Sequence, residues 1–291
     1  MVNLDRVILI MKSVLITGAA TGMGKAYADL LSAKGWLVFA GCIENNPPIT
    51  DWDTDANIIR IQCDVTQPDQ ITDARRKVEE RTGGTLDLLI NNAGAGLACG
   101  AVESAYMENA RVSMEVNYWG IINMVHGFAE PIKKAKGRII NVSSPANYLT
   151  MPLGFAYCTS KSAAKSLSAH IKMELAPFGV QVTNLEPGGV ESQMIIDGRN
   201  SEQTWGPMPT HLRNVYQETF VSGMEGVSDV VKFIPPADFA ELVYKKVISQ
   251  KKWKTNYQVG PGAKTIALLH RLLPVELNQK LWKHVFSKKP T

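Results

Sequence analysis

Metal-ligand spacing is missing from this chain of 291 residues. Its four cysteines, Cys42, Cys63, Cys99 and Cys158, and its five histidines form no cluster of the kind that holds zinc. Free thiols in a reduced, cytoplasmic protein are the expectation, with Cys42 and Cys63 ending neighbouring strands. Long apolar runs are missing as well. Val7 to Ile16 is broken by Lys12 and falls far short of the roughly 20 residues a bilayer requires. That run continues into a strand with no cleavage-like end, so it does not read as a signal peptide. No repeat, low-complexity run or compositional break before residue 245 divides the chain, and 45% hydrophobic content is enough for one large core spanning 1–291. Acid is scarce in one place. From Lys245 to Thr291 eleven Lys and Arg face a single acid, Glu276, within a net charge of only +4.

What is present begins near the amino end. Val14-Leu15-Ile16-Thr17 reads as a short buried strand, followed by Gly18-Ala19-Ala20-Thr21-Gly22-Met23-Gly24 and a helical stretch from Lys25 to Lys34. Strand, glycine turn and helix together suit a pyrophosphate, because glycines admit the ligand and the free N–H groups at a helix start face its charge. Further strands are expected at Leu37 to Ala40, Ile58 to Gln62, Leu86 to Ile90, Arg138 to Val142 and Val180 to Leu185, with helical periodicity between most of them. That alternation predicts an α/β fold: one doubly wound parallel sheet of the Rossmann type, with helices on both faces. Ligands on such a sheet bind beyond the carboxyl ends of the strands. Gly18, Asp64, Asn91-Asn92-Ala93-Gly94, Ser144 and Pro187-Gly188-Gly189 all fall at those ends.

Tyr157 and Lys161 stand four residues apart, on one face of a helix, and Ser144 precedes the tyrosine after a strand. A cation beside a phenol favours its ionised form, which fits proton exchange with an alcohol or ketone oxygen. A bare Tyr-x-x-x-Lys is nevertheless common on ordinary helix surfaces.

Taken in order, these motifs resemble the short-chain dehydrogenase/reductase family over roughly residues 12 to 260. The resemblance implies that Gly18, Thr21, Gly22, Met23 and Gly24 form the cofactor turn, that Asp64 and Val65 contact the adenine, and that Asn91, Ala93 and Gly94 support the central strand and border the ribose. It implies a catalytic set of Asn117, Ser144, Tyr157 and Lys161, with Asn117 anchoring a water in the proton path. Tyr157 would be the acid/base, Ser144 would bind the reacting oxygen, and Lys161 would lower the pKa of the tyrosine and hold the ribose. Pro187, Gly188, Val190 and Ser192 match the loop that holds the nicotinamide. A homo-oligomer is also implied, as are hydride transfer at a carbinol or carbonyl carbon and an NAD(P) cofactor. An inactive cofactor-binding scaffold is the alternative function, disfavoured because the catalytic set is complete.

Cys42 occupies the position after the second strand where the family often has Asp or Arg, and no Lys or Arg lies between Thr17 and Gly24. Lack of a partner for a 2′-phosphate leans the expectation towards NAD. A looser resemblance, carried by Gly35-Trp36-Leu37-Val38-Phe39-Ala40-Gly41-Cys42, points to the branch of retinol, hydroxysteroid and 3-hydroxybutyrate dehydrogenases. It implies a secondary alcohol or ketone on an apolar skeleton, such as a steroid or retinoid. Residues 191–236 would cover the substrate, with Met194, Ile195, Ile196, Trp205, Met208, Phe220, Met224 and Phe233 scattered through them; Leu97, Tyr148, Met151 and Leu153 are better placed as pocket residues.

Residues 262–291 read as a basic amphipathic helical extension, with Leu268, Leu269, Leu272 and Leu273, then Leu277, Leu281, Trp282, Val285 and Phe286. Two partners fit this pattern. The apolar stripe can pack on the domain or on a partner subunit, which is the preferred expectation, or it can lie on an anionic membrane surface. Nucleic acid is a poor third, since no binding module is present.

Overall fold

The computed structural model describes residues 11–43, 52–96, 99–191, 208–216 and 232–286. Seven strands form one parallel sheet: β1 (Ser13–Thr17), β2 (Leu37–Cys42), β3 (Ile58–Gln62), β4 (Leu88–Asn91), β5 (Arg138–Val142), β6 (Gln181–Pro187) and β7 (Asn256–Val259). Their order is β3-β2-β1-β4-β5-β6-β7, so the chain winds outward from β1, returns to β4 and winds the other way. The helices are α1 (Gly22–Ala33), α2 (Pro68–Thr82), α3 (Met107–Met114), α4 (Gly120–Ala135), α5 (Phe155–Leu175), α6 (Thr210–Tyr216), α7 (Pro236–Val243), α8 (Ala263–Leu272) and α9 (Val275–Phe286).

Strand residues alternate between two cores, which is why they read as unbroken apolar runs. Val14, Ile16, Leu88 and Ile90 pack with Tyr27 and Leu31 of α1 and with Phe239 and Val243 of α7. Leu15, Leu89 and Ile139 pack with Ile71 and Val78 of α2, Met124, Phe128 and Ile132 of α4, and Ile171 of α5. Each such side chain is fully or almost fully buried and contributes about 1.5–3 kcal/mol.

The six expected strands are all present, with shifted ends. Leu86 is buried but precedes β4, its N–H donating to the Pro131 carbonyl at 3.0 Å. Helix α1 begins at Gly22, three residues before the expected start, so Gly22 and Gly24 belong to its first turn. Strand β7 is an addition. Asn256-Tyr257-Gln258-Val259 is short and half polar, and it is a strand because β6 offers it an edge, with Asn184 opposite Asn256 and Pro187 opposite Val259.

Candidate active site

Where β1 and β4 part company, a cleft of about 270 Å³ opens at their carboxyl ends, lined by Gly18, Ala20, Thr21, Ile43, Asp64, Val65, Ala93 and Gly94 among others. Gly18 has φ +62°, and a Cβ on it would lie 2.9 Å from the Ala93 Cα. At Gly24 a Cβ would sit 2.1 Å from the Gly18 carbonyl oxygen and 2.7 Å from Asn92 Nδ2. The glycine turn is therefore folded back on the first turn of α1, whose first N–H groups have no side-chain cap and whose N-cap residue Thr21 lines the cleft. Thr17 and Asn92 hold this arrangement from below. Thr17 Oγ1 accepts from the N–H groups of Asn92 and Ala93, each at 3.0 Å, while Asn92 Nδ2 donates to the carbonyls of Thr17 at 3.0 Å and Gly18 at 3.1 Å.

Several expected cofactor contacts have other tasks for their side chains. Asn91 points into the sheet and donates to Asn141 Oδ1 at 2.8 Å, tying β4 to β5; its neighbour Asn92 reaches the glycine turn instead. Met23 is half-buried and packs on the core. Cys42 is buried with its thiol turned to the Ala40 carbonyl, and Ile43, 49% exposed, lines the cleft in its place. Asp64 accepts from the N–H of Thr66 at 2.9 Å and from its hydroxyl at 2.8 Å, closing the turn after β3. All four cysteines are buried and free, and burial pushes the Cys63 thiol up to about 12. Beside Cys42, burial raises the thiol while the Arg60 guanidinium, in hydrogen-bond reach, pulls the other way. Arg60 lies on β3 opposite Ala40, so strand pairing delivers a cation that local sequence does not show.

The catalytic candidates gather beside this cleft, next to Gly94 in its lining. Ser144 follows β5 and caps a short 3₁₀ turn, Pro145–Tyr148, accepting from the Ala146 N–H at 3.1 Å. Tyr157 and Lys161 share one face of α5, and the Lys161 ammonium is 5.8 Å from the centroid of the tyrosine ring. Burial pushes the phenol above its ordinary value, and its hydrogen bond with Ser144 pulls it back. Desolvation is the larger influence, because it opposes the phenolate. Lys161 is brought down to about 8 by burial and donates to the Val142 carbonyl at 3.1 Å. An ammonium has three N–H donors, so this bond leaves two.

Asn117 is buried in a π-helical turn, Glu115–Trp119, that joins α3 to α4. Its Nδ2 donates to the Ala95 carbonyl at 2.7 Å and to Ser160 Oγ at 2.9 Å, and its Oδ1 accepts from the Ala95 N–H at 3.0 Å. The distances join the cleft floor to α5: a Cβ at Gly94 would come within 3.2 Å of both Asn117 Oδ1 and Lys161 Nζ. The loop after β6 is held by the turn after β7, since Gly188 donates to the Val259 carbonyl at 2.7 Å and Gly189 to the Pro261 carbonyl at 3.0 Å. Val190 is buried and bridges to Ile234. Ser192, Leu97, Met194, Ile195, Ile196, Trp205, Phe220 and Met224 lie outside the described residues. Met208 is buried with Ala101, against Leu153, Leu212 and Tyr216. Leu153 adopts φ +61°, an unfavourable conformation for a leucine, just before α5.

One buried network escaped the sequence reading. Glu186, fully buried just before Pro187, accepts from Lys165 Nζ at 3.1 Å, Tyr148 Oη at 3.0 Å, Asn147 Nδ2 at 3.1 Å, Asn184 Nδ2 at 3.0 Å and Gln258 Nε2 at 2.7 Å. Lys165 also lies 3.6 Å from the centroid of the Tyr148 ring. Both Asn147 and Tyr148 belong to the turn that Ser144 caps, so this carboxylate fixes that turn. Lys165, one helical turn beyond Lys161, was the available signal; its partner comes from another strand.

The short chain dehydrogenase family model matches residues 12–203. The NADPH-dependent 1-acyldihydroxyacetone phosphate reductase of Schizosaccharomyces pombe is 32% identical over 252 residues, covering 86% of this chain and 82% of the relative. Estradiol 17-beta-dehydrogenase 2 of Mus musculus is 33% identical over 294 residues, covering 96% and 76%. A short chain dehydrogenase from Burkholderia cenocepacia, solved in complex with NADP, superposes with a TM-score of 0.72 at 25% identity, covering 93% of this chain and 97% of that one. With the family's motifs in their expected order at the carboxyl ends of one parallel sheet, and with these matches, the chain belongs to the short-chain dehydrogenase family.

Proposed function

We propose that this protein is an NADP(H)-dependent oxidoreductase that interconverts a secondary alcohol and a ketone on an apolar substrate, with Tyr157 as acid/base. The observation that carries the reading is the meeting of Tyr157, Ser144 and Lys161 beside the glycine-lined cleft. A dinucleotide suits that cleft: Gly18 and Gly24 let the turn close tightly on the start of α1, whose first N–H groups lack a side-chain cap and would meet its phosphates. When bound, the nicotinamide supplies or accepts the hydride.

The chain itself manages the proton and the geometry. In the reductive direction Ser144 Oγ donates to the carbonyl oxygen, and the Tyr157 phenol gives up its proton to that oxygen as the carbinol forms. Lys161, cationic below about pH 8, favours the resulting phenolate and has donors left for ribose hydroxyls. Both amide protons of Asn117 are already engaged, so a water in the proton path would use its main-chain carbonyl or the second Oδ1 lone pair.

Relatives named for an NADPH dependence and for an NADP complex give no support to the expected lean towards NAD. Arg60 beside Cys42 supplies the cation that the glycine turn lacks, and we assign it to a 2′-phosphate. The apolar substrate is supported by the Met208, Leu153 and Leu212 cluster and by relatives named for an acylated dihydroxyacetone phosphate and for estradiol. Screening steroids and acylated ketones while following NADPH absorbance tests the class. Tyr157→Phe should lower kcat by about a thousandfold while NADPH still binds; near-native turnover would reject the assignment.

A further inference from the structure

Helices α8 and α9 carry the acid-poor end of the chain, and their inward side is accounted for. Ala263 is fully buried, His270 stacks on Tyr148 with ring centroids 5.0 Å apart, and buried Asn278 lies 3.2 Å from His270 Nδ1. Leu281, Trp282 and Val285 are half-buried. Of the expected apolar stripe, these three residues are partly covered. Leu268, Leu272, Val275 and Leu277 are instead 55%, 68%, 66% and 51% exposed.

Helical spacing places Leu272 one turn after Leu268, with Lys264 one turn before it and Arg271 three residues after it. Residues 263–286 hold Lys264, Arg271, Lys280 and Lys283 against one acid, Glu276. Among the described residues none of these four cations is in an ion pair.

We propose that the outward face of α8 and the first turn of α9 form a docking surface for an anionic membrane. Charge decides the occupant. A second copy meeting this face through a two-fold axis would bring the acid-poor segment against itself, cation on cation. Anionic headgroups neutralise the same cations while the acyl boundary takes up the leucines, and the stems of Lys264 and Arg271 lie along that boundary with their charged ends in the headgroup layer. The proposal rests on these helices alone, independent of the catalytic reading. Its consequence reaches the site, because His270 on α8 touches Tyr148 in the turn capped by Ser144. A docked molecule holds that turn close to the bilayer surface.

The test is flotation of the full chain with phosphatidylcholine vesicles, with and without phosphatidylserine, at low and high salt. Binding should require phosphatidylserine and weaken with salt. Leu268→Glu with Leu272→Glu should lower the bound fraction at least about tenfold with the far-UV spectrum and Tm unchanged, and Lys264→Gln with Arg271→Gln should lower it and flatten the salt dependence. Unimpaired binding by the double glutamate variant, or no binding by the native chain, would overturn the proposal. Sedimentation showing a dimer that the glutamates dissociate, with no vesicle binding, would overturn it in favour of a second copy.

Discussion

The two halves of the candidate site are built from different materials. At the cofactor end the backbone does the shaping: Gly18 and Gly24 bring main chain against main chain, and Thr17 and Asn92 hold the turn through main-chain N–H and carbonyl groups. Around Ser144 and Tyr157 side chains do it, with Glu186 and its five partners fixing the turn after Ser144 and Met208 packing on Leu153. A site made of backbone demands particular residues at particular spacings. One made of side-chain contacts demands only that the fold bring suitable groups together, and many combinations serve.

That contrast can be broken most forcefully at Lys165. Lys165→Met leaves the Glu186 carboxylate buried without its cation and should cost about 3–4 kcal/mol by denaturant unfolding, with kcat falling because the turn after Ser144 loosens. A loss under 1 kcal/mol would mean that the four neutral donors suffice.

Lys161 gives the next largest effect, as a pH dependence. It is protonated in both states below its folded pKa of about 8 and neutral in both above its ordinary 10.5, and between these the unfolded chain holds the extra proton. The protein's stability should therefore rise with pH across that window, by up to about 3 kcal/mol from this group, and the rise should vanish in Lys161→Met. Comparison between pH 8 and 10 suits this best, since Tyr27, Tyr148 and Tyr157, all raised by desolvation, oppose it at higher pH.

At the backbone end, Gly24→Ala forces a methyl group onto the Gly18 carbonyl and should cost about 2 kcal/mol in stability and weaken cofactor binding. Intact cofactor affinity in this variant would show that the turn tolerates a shift. The smallest expected effect is at Arg60: Arg60→Ala should raise the KM for NADPH about tenfold, about 1.4 kcal/mol, and leave that for NADH unchanged. Equal changes for both cofactors would remove Arg60 from the 2′-phosphate.

Legibility followed the same division. The placement of Thr17 to Gly24, Asn91 to Gly94, Ser144, Tyr157 and Lys161 was legible because strand ends, tight turns and one helical repeat tie residue type to position locally. That of Arg60 was not, since it is 18 residues from Cys42 and its neighbour only once β3 lies on β2. Glu186 meets Lys165 by the same kind of pairing across β6 and α5. The seventh strand was invisible because its four residues carry little apolar signal and rely on β6 for their hydrogen bonds.

By itself the sequence determined the doubly wound sheet, the place of the cofactor turn and the helix bearing Tyr157 and Lys161, since each depends on backbone preferences acting over a few residues. Tertiary structure decided which way Cys42, Asn91 and Asn92 point, which cation stands at the end of β2, how the turn after Ser144 is held, and which leucines of the last two helices stay in solvent. Those outcomes turn on strand order and register, and no local pattern carries that information.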